Sequence, residues 1–564
     1  MTCRRATACG SRPERQHLSD ATILYAPGGC VRVPWDTWRI EEVAARRLAA
    51  KFDGAETLFG STDATRPVAE ASVAFLDTTL RDGEQAPGVS LSADQKADIA
   101  RELDATGVDV IEAGSACTGP GERETIQQVT DLGLDATVTS FARGVKDDID
   151  LALDCDVDGV TLVVPASDRH VGTKVGTTRE DVLDSVAELV EYAREHGLWI
   201  EALGEDGSRA DLDFLEQIAK TAHDAGADRF CYADTVGRAT PDRTVAAVSR
   251  LAEHGPTSTH THDDLGMGTA NAVASVAAGA DLVHATVNGI GERAGNVSLE
   301  EVAIALQQGY DVETVDTEQL YGLGRLVADA TGVQLPPNKA VVGENAFTHE
   351  SGIHTDGTLK DDAMYEPYPP ETVGRERRLV LGKHAGRAGV EAALSEHGVE
   401  VSDDELSTVV ARVKRLAEQG KRVADADLLT VAEDVQGRER ERRVELVDMT
   451  AAAGGATPTA SVRLNVEGDE KRAAATGDGP VDAAVSAARE ALGEVTDAAL
   501  DSYHVDAVTG GTDAVVTVEV EMSRGDRSVT VTASDADITV ASVRAMVDAL
   551  DRLLAAEPAE PLGD

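Results

Sequence analysis

The run His260-Thr261-His262 is the part of this 564-residue chain best suited to chemistry. On a β-strand, residues two apart point the same way, so both imidazoles would face one side. Two neutral imidazoles on one face make a ready divalent-metal site. The bland alternative is a pair of histidines capping a strand in water. Two other polar runs bear on that choice: Asp77-Thr78-Thr79-Leu80-Arg81-Asp82-Gly83-Glu84-Gln85 and Asn288-Gly289-Ile290-Gly291-Glu292-Arg293-Ala294-Gly295-Asn296. Asp82 offers a carboxylate, or only a turn before Gly83. Asn296 offers an amide oxygen, or only a helix N-cap. Arg81 presents a planar fork to a carboxylate beside a metal, or forms a salt bridge to Glu112 or Glu205. Thr235 donates to a substrate oxygen, or caps a helix. Glu205-Asp206 add carboxylate to the same set.

These residues can converge only if the chain brings distant segments to one place. From Val73 onward, short β-branched runs alternate with longer amphipathic stretches. The runs are Val73–Leu76, Val108–Ala113, Ala136–Phe141, Gly159–Val164, Leu198–Leu203, Arg229–Ala233, Ser258–His262 and Leu282–Asn288. Eight β-then-α units over about 240 residues match a (β/α)8 TIM barrel. A doubly wound sheet also alternates this way. The polar residues, however, fall at the C-terminal end of nearly every run, where a barrel builds one site. In a closed barrel the first, seventh and eighth strands adjoin. Asp82, His260, His262 and Asn296 then meet, and mixed N/O ligation with open positions suits Mg, Mn or Zn.

Length and composition set the frame. A chain this long exceeds one hydrophobic core. The expected fold is α/β: a (β/α)8 TIM barrel, a helical linker region and a C-terminal α+β domain. Residues 1–70 read as a disordered or artefactual extension, 71–335 as the catalytic barrel, 336–447 as linker subdomains, 448–460 as a linker, 461–555 as the small α+β domain and 556–564 as a tail. The third unit is expected as strand, helix, strand, strand, helix. The extension stands apart because Met1 to Lys51 is arginine-rich and holds Cys3, Cys9, Cys30, Trp35 and Trp38. A transit peptide is the alternative, weakened by Glu14, Asp20 and Asp36. The 101 acidic residues against 52 Lys+Arg argue against nucleic acid and anionic membranes as partners. They fit adaptation to a salty interior, where carboxylates stay hydrated and repulsion is screened. Scattered cysteines and the lack of an apolar membrane-length stretch point to a cytoplasmic protein.

The motifs DTTLRDGEQ from Asp77, HTHDD from His260 and NGIGERAGN from Asn288, in that order, resemble the acyl-CoA-condensing branch of the DRE-TIM metallolyases. That group contains 2-isopropylmalate, citramalate and homocitrate synthases, and the resemblance spans about residues 73–555. It implies acetyl-CoA as co-substrate and a 2-oxo acid as acceptor. It implies Asp82, His260 and His262 as ligands of a divalent metal, with Asn296 in or near the shell, and Arg81 on the oxo acid. It also implies that the segment after the barrel, with His354 and Tyr365 in acid/base roles, completes the site of a neighbouring subunit in a homodimer. The enolising base is then His354 with Tyr365, or Glu205. Gln85, Ser115 and Thr235 are the expected substrate contacts. The Gly114-Ser115-Ala116 pattern is similar to that of archaeal citramalate synthases, which favours pyruvate over 2-oxoisovalerate. The C-terminal unit resembles a regulatory domain that would bind isoleucine or leucine, with Asp482, Thr512 and Asp513 as candidate effector contacts.

Overall fold

The computed structural model describes residues 21–26, 29–34, 68, 71–418, 423–437, 442–452, 457–493, 498–507, 516–525 and 527–555. Eight parallel strands close into one barrel: β3 Ala74–Asp77, β4 Val110–Gly114, β5 Thr137–Arg143, β6 Gly159–Pro165, β7 Trp199–Glu205, β8 Arg229–Asp234, β9 Thr257–Thr261 and β10 Leu282–Ala285. Closure runs through β10 and β3, where Leu282 pairs with Ala74 and Ala285 with Asp77. The helices that follow the strands are α1 Ala93–Thr106, α2 Pro120–Thr130, α3 Lys146–Leu153, α4 Arg179–Glu195, α5 Leu212–Ala225, α6 Pro241–Leu251, α7 Gly268–Ala277 and α8 Leu299–Tyr310. Local chemistry starts them where the sequence allows. Ser92 and Thr178 close capping boxes on α1 and α4, which satisfies backbone N–H groups that the helix leaves orphaned.

One continuous core joins the helices to the outer faces of the strands, with Ile99, Leu103, Ile126, Val190, Phe214, Ile218 and Val248 buried in it. Inside the barrel, a small apolar floor is made by Leu76, Val110 and Leu282, with Ala74 and Trp199 against them. The next level up is polar. Glu201, Cys231, Ser258 and His284 are all buried there. Aliphatic residues usually fill such barrel layers, so this layer sets the mouth above it apart.

Beyond the barrel, α9 Leu320–Thr331 packs on the same core through Leu320, Leu323 and Val327. A loop-rich stretch follows, with α10 Gly352–Thr358 and the short strands β11 Thr348–His349 and β12 Arg378–Leu379. Helices α11 Arg387–Glu396, α12 Asp403–Glu418 and α13 Asp425–Gln436 form a separate core around Leu394, Val409 and Leu428. The last unit repeats one pattern twice: β13 Val444–Ala452, β14 Thr459–Val466, β15 Asp469–Thr476 and α14 Pro480–Leu492, then β16 Ala499–Ala507, β17 Val516–Arg524, β18 Arg527–Asp535 and α15 Ile538–Ala555. Helix α15 serves both sheets, giving Val543, Val547 and Leu550 to one core and Ala541, Ala545 and Ala549 to the other.

Four expectations are corrected. The N-terminal extension contains an antiparallel hairpin, β1 Ala21–Ala26 with β2 Gly29–Pro34. The stretch from Asp448, expected as linker, is strand up to Ala452 and pairs with β14; its Ala/Thr composition masks the alternation that an edge strand needs. Strand β15 was not expected, because Asp469-Glu470-Lys471-Arg472 is too polar to read as β, yet it faces solvent on one side of an antiparallel sheet. The eighth run stops at Ala285. Asn288 turns to φ 62° inside a 3-10 turn, a conformation Asn tolerates better than most residues.

Candidate metal centre and barrel mouth

Closure of the barrel places the first and last polar runs beside His260. Asp82 follows β3 in a turn held by its own N–H, which donates to the Thr78 carbonyl at 2.8 Å. His260 lies on β9 opposite His284 of β10 and Ala233 of β8. His262 stands just past β9, in an isolated bridge with Asn296. Asp82, His260 and His262 are all buried, and their ligating atoms lie within 4.8 Å of one another.

The donor chemistry fits a divalent cation. His262 Nδ1 is 3.2 Å from the Gly295 carbonyl oxygen, which can only accept, so the proton sits on Nδ1 and the Nε2 lone pair is free. Burial, and then the neighbouring His260 ring, push the His262 pKa down to about 4, so the ring is neutral at physiological pH. Its Nε2 faces His260 Nε2 at 3.4 Å. His260 Nε2 is 3.2 Å from Asp82 Oδ2, and His262 Nε2 is 3.8 Å from it. Ligand atoms about 2.1 Å from one ion stand about 3.0–3.4 Å apart at ordinary bond angles. Burial opposes charge on Asp82, but Arg81, then His260 and His262, hold its carboxyl far below the usual range. The Asn296 side-chain oxygen is buried without a hydrogen-bond partner, as is fitting for an atom that waits for a ligand.

A cavity of about 230 Å³ opens beside these residues. Arg81, Asp82, Gln85, Glu205, Thr235, His260, His262, Glu292 and Arg293 give it polar lining, while Phe141, Val163, Leu203 and Ala233 form an apolar wall. Arg81 donates from Nε to Glu112 at 2.5 Å and stacks on Phe141 at 4.5 Å. The salt bridge to Glu112 is therefore real, and it orients the guanidinium without using its whole fork. Burial works against the charged form of Arg81; Glu112 and Asp82 more than offset it. Thr235 Oγ1 accepts from the Asp206 N–H at 2.9 Å, which leaves its hydroxyl proton free to donate. Glu205 faces the cavity and is paired with His170 and Lys174.

Other expected residues fall elsewhere. Ser115 is not among the residues that line the cavity. Its hydroxyl donates to the Phe141 carbonyl at 3.1 Å, just past a shift in the β4–β5 register between Glu112 and Gly114. The apolar wall of the cavity comes from β5 to β8. His354 and Tyr365 stack on each other with centroids 4.3 Å apart, and neither lines this chain's own cavity. They sit in an exposed apolar patch with Ile353, Leu359 and Met364. Asp482 accepts from the Asp478 N–H at 2.9 Å, at the start of α14; Thr512 and Asp513 lie outside the described residues.

Sequence reasoning missed His170, Lys174, Phe141 and the polar layer below. In that layer His284 Nε2 is 2.8 Å from Glu201 Oε2, and Ser258 donates to Glu201 at 2.5 Å. The His284 ring packs edge-on to His260 at 5.4 Å. Burial would lower the His284 pKa, but Cys231 and Glu201 raise it well above the ordinary imidazole value. Counting back by two from Glu205 would have found Leu203 and Glu201 on one face. Nothing local in the sequence marks His170.

Comparison with known proteins agrees with this architecture. Residues 72–327 match the HMGL-like family model, 341–421 the homocitrate synthase post-HMGL domain-like model, and 422–554 the LeuA allosteric (dimerisation) domain model. A putative (R)-citramalate synthase CimA of Methanothermobacter thermautotrophicus is 50% identical over 491 residues, covering 86% of this chain and 99% of that protein. Another, from Methanosphaerula palustris, is 52% identical over 482 residues, covering 85% and 96%. The (R)-citramalate synthase CimA of Methanocaldococcus jannaschii is 47% identical over 489 residues, covering 86% and 99%. Among the described residues no helix is long and apolar enough to cross a membrane. With its barrel, buried Asp-His-His set and C-terminal unit, the chain belongs to the DRE-TIM metallolyase superfamily, in the family of the archaeal (R)-citramalate synthases.

Proposed function

We propose that this protein condenses acetyl-CoA with pyruvate to give (R)-citramalate and free CoA, with a divalent metal at Asp82, His260 and His262 and with Asn296 beside them. The observation that carries this reading is the buried carboxylate and imidazole pair opening onto a cavity of about 230 Å³, a volume suited to a small acid. The names of the relatives support the same reaction. When bound, the metal supplies Lewis-acid polarisation of the oxo acid's oxygens. Arg81, already oriented by Glu112 and Phe141, takes the substrate carboxylate and offsets negative charge that develops on the ketone oxygen. Thr235 donates its free hydroxyl proton to a substrate oxygen, and Gln85 lines the same side. Glu205 removes a proton from the acetyl methyl group. That carbon attacks the ketone carbon, a C–C bond forms, and the former ketone oxygen takes up a proton. Water then hydrolyses the thioester and releases the CoA thiol. The apolar wall of Phe141, Val163, Leu203 and Ala233 faces the methyl group of pyruvate.

His354 and Tyr365 act in the site of a second copy. Their outward-facing stack and the exposed patch around it support this, as does the match of the C-terminal unit to a dimerisation domain. The same unit binds isoleucine as a feedback inhibitor. The test is CoA-thiol release with pyruvate, 2-oxoisovalerate and 2-oxoglutarate side by side, with Mg or Mn and high salt, with and without isoleucine. Pyruvate is expected to give the highest kcat/KM. A clear preference for 2-oxoisovalerate would overturn the substrate assignment, and no release with any of the three would overturn the reaction.

A further inference from the structure

Glu205 ends β7 in the cavity, but its side-chain partners do not come from neighbouring strand ends. They come from a π-helical turn, His170–Val175, after β6. Single π-turns are rare and concentrate at functional places, because the extra residue re-aims the side chains that follow. Here His170 Nδ1 is 2.9 Å from Glu205 Oε2. Lys174 Nζ is 2.5 Å from one carboxylate oxygen and 2.7 Å from the other. The turn is tied to the residue next to Glu205. The His170 N–H donates to Ser167 Oγ at 3.2 Å, and Ser167 Oγ donates to Asp206 Oδ2 at 2.5 Å. Asp206 is fully buried, has φ 64°, and accepts from Arg209 Nε at 2.6 Å. His170 is 15% exposed and Lys174 55% exposed on their side chains. A pair that open to solvent adds little to folding, so a fold-stabilising role does not account for Lys174 closing on a cavity carboxylate.

We propose that His170 and Lys174 are positioning residues for Glu205: together they fix its carboxylate in one orientation in the cavity. The inference rests on Glu205 being the proton-abstracting base of the proposed reaction. A base held in place avoids the rate lost to small displacements. Glu205 also faces Arg81, Asp82, His260, His262, Glu292 and Arg293 across the cavity, with Asp206 behind it.

The experiment compares full-length Lys174→Ala, Lys174→Arg, His170→Ala and His170→Asn with Glu205→Gln, reading CoA-thiol release against pyruvate concentration. Asn presents an N–H close to the position of Nδ1, and Lys174 is exposed enough that its removal leaves folding intact. The alanine variants are expected to lose about tenfold or more in kcat, with KM for pyruvate within about twofold. The conservative Arg and Asn variants should recover most of the loss. Alanine variants with wild-type kcat, beside an inactive Glu205→Gln, would overturn the positioning role alone. An active Glu205→Gln would overturn the assignment of the base, and the positioning role with it.

Discussion

Asp82, Glu201, His260 and His284 are each 5% exposed or less inside the barrel. In the C-terminal unit, the two cores are built from Val, Ala and Leu. Asp551 is the buried charge beside them, and it accepts from the backbone N–H groups of Arg443 and Val444 at 2.7 and 2.9 Å. The barrel can hold ionisable groups in a stacked column because one large surrounding core offsets their burial. The C-terminal cores are too small for that, and the buried Asp551 serves there as a cap on backbone N–H groups. Substitution at the mouth should therefore remove chemistry and leave the fold, while substitution in the C-terminal cores should do the reverse.

The largest expected effect lies at the metal centre. His260→Ala should lower kcat by on the order of 10³-fold, with a far-ultraviolet spectrum like that of the wild type; a variant with near-normal turnover would break the contrast. Next, Leu464→Ala empties a fully buried place in the first C-terminal sheet. It should destabilise that unit by about 2–5 kcal/mol in denaturant unfolding, with kcat changed by less than about twofold. A collapse of turnover instead would couple the two regions more tightly than their separate cores suggest.

A smaller effect tests the seam between the helical region and the last sheet. Asp425 on α13 accepts from the Thr530 N–H at 3.1 Å and lies 3.7 Å from His397 Nε2. Burial opposes its charge, but His397 and Thr530 outweigh this and lower its pKa. A depressed carboxyl contributes stability above its unfolded pKa of about 3.9, which is lost as pH falls through the folded value. Asp425→Asn should melt a few degrees lower than wild type at pH 7, and the gap should close toward pH 3. A gap that persists in acid would show that the carboxylate's charge is not its cause. The smallest and most diffuse effect is that of salt. With 101 acidic residues against 52 Lys+Arg, screening should raise the melting temperature as KCl rises. Greatest stability in dilute buffer would contradict a salt-adapted surface.

Much of the barrel was legible because its signals are local. Eight β-branched runs, each ending in polar residues, announce both the strands and the face on which the site is built. Asp82, His260, His262 and Glu205 were readable for the same reason: each lies at or just past a strand end. The register irregularity after Glu112, just before Ser115, cannot be seen in a sequence. His170 and Lys174 were missed because a π-turn has no apolar period and its partner, Glu205, is 35 residues from His170. In the C-terminal unit, the end of β13 and the whole of β15 were hidden by composition, since Thr450-Ala451-Ala452 in one and the charged run Asp469-Glu470-Lys471-Arg472 in the other resemble a linker. Its two-fold repeat becomes visible only once those strands are seen.

Metal content, measured on purified full-length protein after equilibration with Mn and removal of free ion, bears most directly on the central claim. The account predicts one firmly held divalent ion per chain, lost in both His260→Ala and His262→Ala, together with CoA release from acetyl-CoA and pyruvate that falls away with the ion. Wild-type protein that retains no ion, or that turns over at full rate in excess chelator, would contradict it.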